Sequence, residues 1–389
     1  MTGRQLLDAF VIAAPGIEEI TAVELRTLAI EPAAVEHGGV LFRGSHRDIY
    51  NANLKLRTAT RIVVRIARFH ASSFAELERR AKKIEWERWL PSVGEVKFRV
   101  TCKKSRLYHS DAVAERLMNA AAKHCADLDF VIADKEDTAD SEAAPSAQLF
   151  IVRLVRDEVT ISADTSGELL HRRGYRLEAT RASLRENLAA AMLLASRWKR
   201  DTPLLDPLCG SGTIPIEAAM IARGIAPGLE RSFAFEKWPS FDETFWKSLK
   251  DKARSEQTPE AGAPVYGGDR DAGAVEVARR NAERAGVAAD IEFSKRALAQ
   301  SLDVFARTHA GSGAIVTNPP YGMRVSPDAD LRNLYGMLGA RAQKNNWSLG
   351  VLTSDDKLAR QSANLVPNFR TQNGGIPVTF FTSDQAAEN

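Results

Sequence analysis

The second half of the chain alternates short apolar runs with longer amphipathic segments, and this alternation limits the fold more than any other feature. After Pro203 the pattern predicts strands at residues 204–208, 264–268, 291–293, 314–317 and 349–352, and helices that begin at Thr213 and cover 272–285 and 330–341. Strands that alternate with helices pair in parallel. We therefore expect a mostly parallel, doubly wound α/β sheet, closed by an antiparallel pair at 369–372 and 378–382.

The first predicted strand of this half runs into a glycine turn. Sheets of this class bind ligands at the carboxyl ends of their strands, and here that end carries Asp206, Leu208, Gly210, Ser211 and Gly212. The glycines let the backbone approach a ligand, and free N–H groups at the following helix attract an anion. A dinucleotide fingerprint needs glycine at Pro215, and the Gly-Lys-Ser/Thr of a P-loop is missing. S-adenosylmethionine remains as the cofactor, with a turn that only packs in the core as the alternative.

The second strand of this half ends in an acidic segment. Its residues Asp269, Arg270 and Asp271 are predicted to bind the cofactor. A carboxylate at this position can accept both hydroxyl groups of a ribose. Asp269 is the predicted ribose ligand, whereas Asp271 could instead cap the next helix.

A rigid polar loop follows the strand at 314–317, and its sequence is Asn318, Pro319, Pro320 and Tyr321. The Asn318 side-chain oxygen and the Pro319 carbonyl can accept the N–H groups of an exocyclic amine, while Tyr321 stacks on the base. A strand-ending turn whose tyrosine only packs is the alternative. The three strand ends together predict methyl transfer from S-adenosylmethionine to an amino nitrogen. These four residues are the predicted catalytic set, and Asn318 is also expected to contact the cofactor.

No cysteine lies in the proline loop, which excludes a nucleophilic cytosine-C5 mechanism there. Cys209, in the glycine turn, is predicted to be a small lining residue. With Cys102 and Cys125 it forms no CxxC pair, so we expect a reducing cytoplasm and neither disulfides nor a metal site. No apolar run is long enough for a membrane span, and the N-terminus lacks a signal-peptide pattern.

The first half of the chain carries a strongly basic stretch. Residues 51–106 contain 15 Lys and Arg against 5 Asp and Glu, which favours a polyanionic partner. RNA contact is predicted for Lys103, Lys104 and Arg106, which precede Tyr108 and His109, and for Arg172, Arg173 and Arg176. A charged strand end is the alternative for the first group. The protein is expected to act as a monomer on RNA.

Apolar periodicity divides the first half into short elements. It predicts strands at 10–13, 39–42, 61–69, 96–101, 149–155 and 159–163, and helices at 17–28, 47–56, 74–90, 111–124 and 184–198. The acidic segment 134–147 is expected to be a surface loop. The long polar stretch 223–263 interrupts the second half, and its aromatic residues indicate an insertion that packs.

Several motifs resemble known enzymes. DPLCGSGTIPIEAA, GGDRDAGAVEVARRNAERAG and TNPPYG resemble the class I methyltransferases that modify exocyclic amino nitrogens. FVIAAPGIEEITAVEL, KKSRLYHSDAVAERL and ADTSGELLHRRGYR resemble the THUMP-containing RNA guanine-N2 methyltransferases of the RlmL type. The segment 294–297 lacks the acid that this family places near the adenine, so backbone groups or Asp271 would substitute.

The resemblance implies a domain order and an activity. It implies a ferredoxin-like domain at 1–70, a THUMP RNA-binding domain at 71–165, a linker and helix at 166–200, and a Rossmann-like methyltransferase domain at 201–389. The second methyltransferase of some RlmL proteins is expected to be absent. The implied reaction is methylation of guanine N2 in 23S rRNA. A tRNA guanine-N2 methyltransferase, a DNA adenine-N6 methyltransferase and a non-catalytic RNA-binding assembly factor are the alternatives.

Overall fold

The computed structural model describes residues 6–125, 127–133, 147–178, 184–196, 198–320, 331–363 and 365–383. Tyr321 and nearly all of the predicted acidic loop therefore lie outside the described residues. Two sheets, each with its own helices, make up this part of the chain.

The first sheet has eight strands in the order β2-β3-β1-β4-β8-β7-β5-β6. They are β1 Leu7–Ala13, β2 Pro32–Glu36, β3 Gly39–Gly44, β4 Ala59–His70, β5 Gly94–Lys103, β6 Leu128–Ile132, β7 Gln148–Val155 and β8 Glu158–Asp164. Strand β5 is parallel to β6 and β7, and all other pairs are antiparallel. Because β4 pairs with β8 along most of its length, the predicted boundary at residue 70 lies within one continuous sheet.

Four helices accompany the first sheet. They are α1 Glu18–Thr27, α2 His46–Lys55, α3 Phe74–Ala81 and α4 Ser110–Ala121. The prediction of one helix over 74–90 is wrong, because α3 ends at Ala81 and a separate 3-10 turn covers Trp86–Arg88. The chain turns so that Trp86 becomes fully buried, and its indole N–H donates to the Ala81 carbonyl at 2.9 Å.

The second sheet confirms the doubly wound prediction. Its strands are β9 Leu204–Asp206, β10 Val265–Asp269, β11 Ile291–Lys295, β12 Ala314–Thr317, β13 Ser348–Thr353, β14 Leu365–Asn373 and β15 Ile376–Ser383. Their order is β11-β10-β9-β12-β13-β15-β14, with only β14 and β15 antiparallel to their neighbours. The chain order reverses between β9 and β12, so these two strand ends flank the crevice where ligands bind.

Both faces of the second sheet are covered. The covering helices are α5 Glu186–Ala195, α6 Thr213–Ala222, α8 Ala272–Arg284, α9 Leu298–Thr308, α10 Leu331–Lys344 and α11 Asp356–Ala363. A further helix, α7 Glu243–Ser255, instead contributes Trp246 and Ala253 to the core of the first sheet. Consecutive residues such as Leu204 and Leu205 are both buried, but they belong to separate cores on opposite faces. Continuous apolar runs are typical of such parallel strands. In the ranges that the structure describes, no helix is both long and apolar enough to cross a membrane.

The insertion at 223–263 packs, as its aromatic residues predict, but it packs onto the first half of the chain. Its aromatic residues join the core of the first sheet. Tyr50 of α2 stacks on Phe235 with ring centroids 4.4 Å apart, and Trp89 meets Trp238 edge-on at 5.0 Å. The insertion therefore joins the two halves of the chain.

A second contact between the halves involves the turn after β1. Ile17 lies fully buried in the core of the second sheet. Gly16 has φ +93°, and a Cβ atom there would overlap the carbonyl oxygen of Arg370 in β14. Only glycine fits this close approach, because the left-handed backbone and the neighbouring carbonyl both exclude a side chain.

Candidate active site

The glycine turn between β9 and α6 is held by its neighbours on β10. Gly210 and Gly212 have φ of +52° and +84°, which favours glycine at both positions. A Cβ atom at Gly212 would lie 2.9 Å from the Cβ of Ala278 in α8. The Cys209 N–H donates to the Gly268 carbonyl at 2.9 Å, which ties the turn to the neighbouring strand end.

Asp269 joins the glycine turn to the end of β10. Its Oδ2 accepts the Gly210 N–H at 2.9 Å, and its Oδ1 accepts the Asp271 N–H at 2.9 Å. Each carboxylate oxygen can still accept a further donor, and the half-buried side chain lies at the crevice. Asp271 accepts the Gly273 N–H at 2.8 Å and so caps α8, which was one of its two predicted roles. Arg270 is exposed between them.

Asp206 is buried at the end of β9 with one carboxylate oxygen engaged. Its Oδ1 accepts both the Thr317 hydroxyl at 2.7 Å and the Leu208 N–H at 3.1 Å. No donor to Oδ2 is found among the described residues. Burial raises the pKa of Asp206 to about 7, with Asp269 adding to the rise against the opposing effect of the two hydrogen bonds. A cation placed at Oδ2 would reverse this rise, because it stabilises the ionised carboxylate.

The proline loop begins beside Asp206. Thr317 is fully buried and its hydroxyl is fixed by Asp206, so Asn318 starts from an anchored position. Asn318 is half-buried, Pro319 is buried and Pro320 is exposed. The Asn318 Oδ1 atom is shielded from solvent, and no donor to it is found in the described ranges of the chain. Since a buried acceptor without a donor costs free energy, this atom marks a place for a ligand N–H.

Two residues that support the site were missed by the sequence analysis. Thr317 was assigned only to the strand. Asn281 of α8 is fully buried, and its Nδ2 donates to the Ser211 carbonyl of the glycine turn at 3.0 Å and to the Glu178 carbonyl at 3.3 Å. An asparagine on the apolar face of an amphipathic helix was the available signal, because a buried amide must find partners.

Cys209 lies in the core beside the turn. Its side chain is buried among the apolar residues of the second sheet, and burial raises the pKa of the thiol well above its ordinary value. The thiol therefore stays protonated, which fits the predicted lining role. Among the residues that the structure describes, no group of three or more His, Cys, Asp or Glu side chains is arranged to hold a metal ion.

The predicted RNA contacts divide into two groups. Lys103, Lys104 and Arg106 are exposed at the end of β5. The prediction is wrong for Arg173, whose side chain is 1% exposed and pairs with Glu217 of α6 at 3.1 Å. Arg176 is also largely buried and pairs with Glu186 at 3.0 Å.

We predicted that the arginines of the basic linker contact phosphate. In the structure, Arg173 and Arg176 instead form ion pairs that stabilise the fold. Arg172, next to Arg173, is partly exposed, 3.8 Å from Glu168. Arg231 of the insertion donates to the carbonyls of Glu168, Leu169 and Arg172 and so holds the same linker. Sequence spacing could not separate buried from exposed arginines here, because the partners lie far away in the chain.

Comparisons with known proteins agree with this geometry. A family model described as RMKL-like, methyltransferase domain, matches residues 173–373, and a model of the RlmL ferredoxin-like domain matches residues 8–63. The relative "Ribosomal RNA large subunit methyltransferase K/L" of Syntrophotalea carbinolica is 35% identical over 362 residues, which are 90% of this chain and 50% of the relative. This chain thus spans half the length of that protein. "Putative RNA methyltransferase YpsC" of Bacillus subtilis is 35% identical over 88% of this chain and 86% of the relative.

Solved structures match over almost the whole chain. SMU.472, described as a putative methyltransferase complexed with SAH, superposes with a TM-score of 0.84 at 31% identity and covers 99% of this chain and 100% of that one. A possible methylase from Clostridium difficile 630 gives the same TM-score at 32% identity and the same coverage. TrmN from Thermus thermophilus, at 20% identity, 97% and 99% coverage and a TM-score of 0.69, shares the fold. The chain therefore belongs to the RMKL-like methyltransferase family.

Proposed function

We propose that this protein is an RNA methyltransferase that transfers a methyl group from S-adenosylmethionine to the exocyclic N2 of a guanosine, in 23S rRNA. The observation that carries the proposal is the solvent-shielded Oδ1 of Asn318, to which none of the described residues donates. Asn318 directly follows Thr317, whose hydroxyl donates to Asp206. The K/L relative, named for ribosomal RNA of the large subunit, supports the choice of RNA. A guanine N2 supplies the N–H that the Asn318 oxygen lacks.

The residues around the glycine turn suit S-adenosylmethionine. The open Oδ2 of Asp206 would hold the amino group, the N–H groups at the start of α6 would hold the carboxylate, and Asp269 would accept the ribose hydroxyls. Bound there, the cofactor supplies a methyl group already activated on a sulfonium. Segment 294–297 has no acid for the adenine, and Asp271 uses Oδ1 to cap α8. Backbone groups are therefore our proposal for adenine recognition.

The proline loop would orient the acceptor. Asn318 Oδ1 and the Pro319 carbonyl each accept one N2–H, which turns the nitrogen lone pair toward the methyl group. Both groups are preorganised, because Thr317 is locked to Asp206 and proline restricts the backbone. Methyl transfer would replace the S–C bond by an N–C bond, leave S-adenosylhomocysteine, and release one amino proton to water. Stacking by Tyr321 remains the sequence-based prediction.

The first half of the chain would bind the RNA. Lys103, Lys104 and Arg106 are its proposed phosphate contacts, together with the partly exposed Arg172. The guanine must leave its stack to reach the crevice between β9 and β12. The insertion and Gly16 join the halves by packing, so these side chains would have a fixed position relative to the crevice.

Nucleoside analysis tests this proposal. The purified protein is incubated with methyl-labelled S-adenosylmethionine and with unmodified 23S rRNA, tRNA or duplex DNA, and the digested products are separated. We expect label in N2-methylguanosine from rRNA. Label in N2-methylguanosine from tRNA alone would show that the substrate is tRNA and not rRNA. Label in N6-methyladenine would exclude the guanine assignment. No label in any nucleic acid would contradict the proposal.

A further inference from the structure

Two turns meet at one end of the first sheet and form a rigid tip. The first turn, residues 103–109, leads from β5 to α4, and the second joins β7 to β8 at Arg156 and Asp157. The Arg106 N–H donates to Asp157 Oδ1 at 2.7 Å, and the Asp157 N–H donates to the Ser105 hydroxyl at 3.0 Å. The Arg156 N–H donates to the Lys103 carbonyl at 3.2 Å. We call these two turns the basic tip.

The cations of the basic tip lack acidic partners. Lys103, Lys104, Arg106 and Arg156 are exposed, and none of them pairs with a carboxylate in the part of the chain that the structure describes. Other cations of the same sheet do form such pairs, at distances of 3.4 Å for Arg68–Glu158, 3.5 Å for Arg65–Glu36 and 3.2 Å for Lys97–Glu95. Four uncompensated cations at one place favour a polyanion.

The tip also exposes an aromatic ring. Leu107 is buried and anchors the turn, whereas the neighbouring Tyr108 is 70% exposed. Its ring centroid lies 4.1 Å from that of His109. An exposed tyrosine among cations provides a flat surface for a base beside charges for the backbone, which is how single-stranded nucleic acids are bound. A duplex would use only the charges, because its bases are stacked on one another.

We propose that the basic tip binds an unpaired segment of the RNA substrate, with Tyr108 stacking on a base while Lys103, Lys104, Arg106 and Arg156 contact the phosphates. This inference rests on the proposed RNA methyltransferase function. It adds the form of RNA that is recognised and assigns Tyr108 and Arg156 to the interface. The tip lies outside the catalytic crevice, so its variants change RNA affinity and leave cofactor affinity intact.

Direct binding of fluorescent oligonucleotides tests the inference. The probes are a ten-nucleotide single-stranded RNA and a blunt RNA duplex with the same strand. Stacking of one base predicts that Tyr108→Leu weakens single-strand binding by about tenfold and duplex binding by less than about twofold. Val93→Ala is the matched control, because Val93 is 69% exposed and precedes β5, about 30 Å of strand away from the tip. It should change neither affinity.

Salt dependence tests the cations separately. Four phosphate contacts predict a slope of about −3 in log affinity against log salt for the single strand, and Lys104→Ala should reduce its magnitude by about 0.7. S-adenosylmethionine affinity, measured alongside, should stay at the wild-type value for every variant. That result would show that each variant is folded.

Three results would overturn the inference. If wild type methylates RNA but Tyr108→Leu binds the single strand as wild type does, the tip inference fails and the proposed function stands. Equal losses on single strand and duplex would also refute stacking. If wild type neither binds nor methylates any RNA, both the inference and the proposed RNA substrate fail.

Discussion

The sequence predicts that Arg173 contacts RNA, whereas the structure places it in a buried ion pair with Glu217. Variants of this pair distinguish the two roles. Arg173 donates to Glu217 through Nε at 3.1 Å and Nη2 at 3.4 Å, and the two side chains are 1% and 0% exposed. The guanidinium also donates to the carbonyls of Leu170 and Arg57 at 2.8 and 2.7 Å. Glu217→Gln keeps the shape of the side chain but leaves a buried cation without its counter-ion.

The expected cost is large. Removing one partner of a buried ion pair costs about 3–5 kcal/mol, because the other charge remains desolvated. Glu217→Gln and Arg173→Met should each reduce the free energy of unfolding by about this amount. The double variant Arg173→Met, Glu217→Leu should lose clearly less free energy of unfolding than the two single variants added together, because it leaves neither charge buried without a partner. Arg172→Ala is the matched control, since a partly exposed pair contributes about 1 kcal/mol or less.

Urea unfolding followed by tryptophan fluorescence measures these changes, and RNA affinity is measured in parallel below the unfolding transition. The structure predicts that folded Arg173→Met binds RNA within about twofold of wild type, because this guanidinium contributes no exposed charge. If Arg173→Met were as stable as wild type but had lost RNA affinity, the result would contradict the buried ion pair and support the predicted phosphate contact.

Two further predictions concern the crevice and the contact between the halves. Because the pKa of Asp206 is raised to about 7, the free protein should lose stability as pH rises from about 4 to 7. Cofactor affinity should fall up to tenfold per unit as pH falls below 7, and calorimetry across pH 5.5–8.5 should find this slope flattened in Asp206→Asn. Gly16→Ala should cost roughly 2–5 kcal/mol of unfolding free energy through backbone strain and overlap with Arg370; wild-type stability would contradict that contact.

Local pattern was enough to predict the catalytic sheet. Strand β12 was predicted with its observed bounds, because a parallel strand buried on both faces is a short apolar run and a proline pair ends it. The three polar strand ends follow from the same rule, since parallel strands present their carboxyl ends at one edge. The strands predicted at 149–155 and 159–163 were also found, as β7 and β8, and Arg156 and Asp157 between them adopt the positive φ that a tight turn requires.

Long-range pairing could not be predicted in the same way. The insertion was expected to pack, but its partner, the first sheet, is distant in sequence. The helices α7, α9 and α11 and the strands β2 and β6 were missed. The linker arginines looked like an RNA surface because charge, without tertiary partners, does not distinguish a buried pair from an exposed contact. Arg61 of β4 likewise donates to Asp164 and to the carbonyl of Gly167, and the Gly167 N–H donates to Asp164.

The most direct test of the account is single-turnover methyl transfer by Asn318→Ala. Labelled S-adenosylmethionine is pre-bound, RNA is added in excess, and the rate is compared with the cofactor Kd measured separately. Loss of the amide oxygen should lower the rate by at least about a hundredfold while the cofactor Kd changes by less than about fivefold. A wild-type rate in this variant would contradict the claim that the unpartnered Asn318 oxygen positions the acceptor nitrogen.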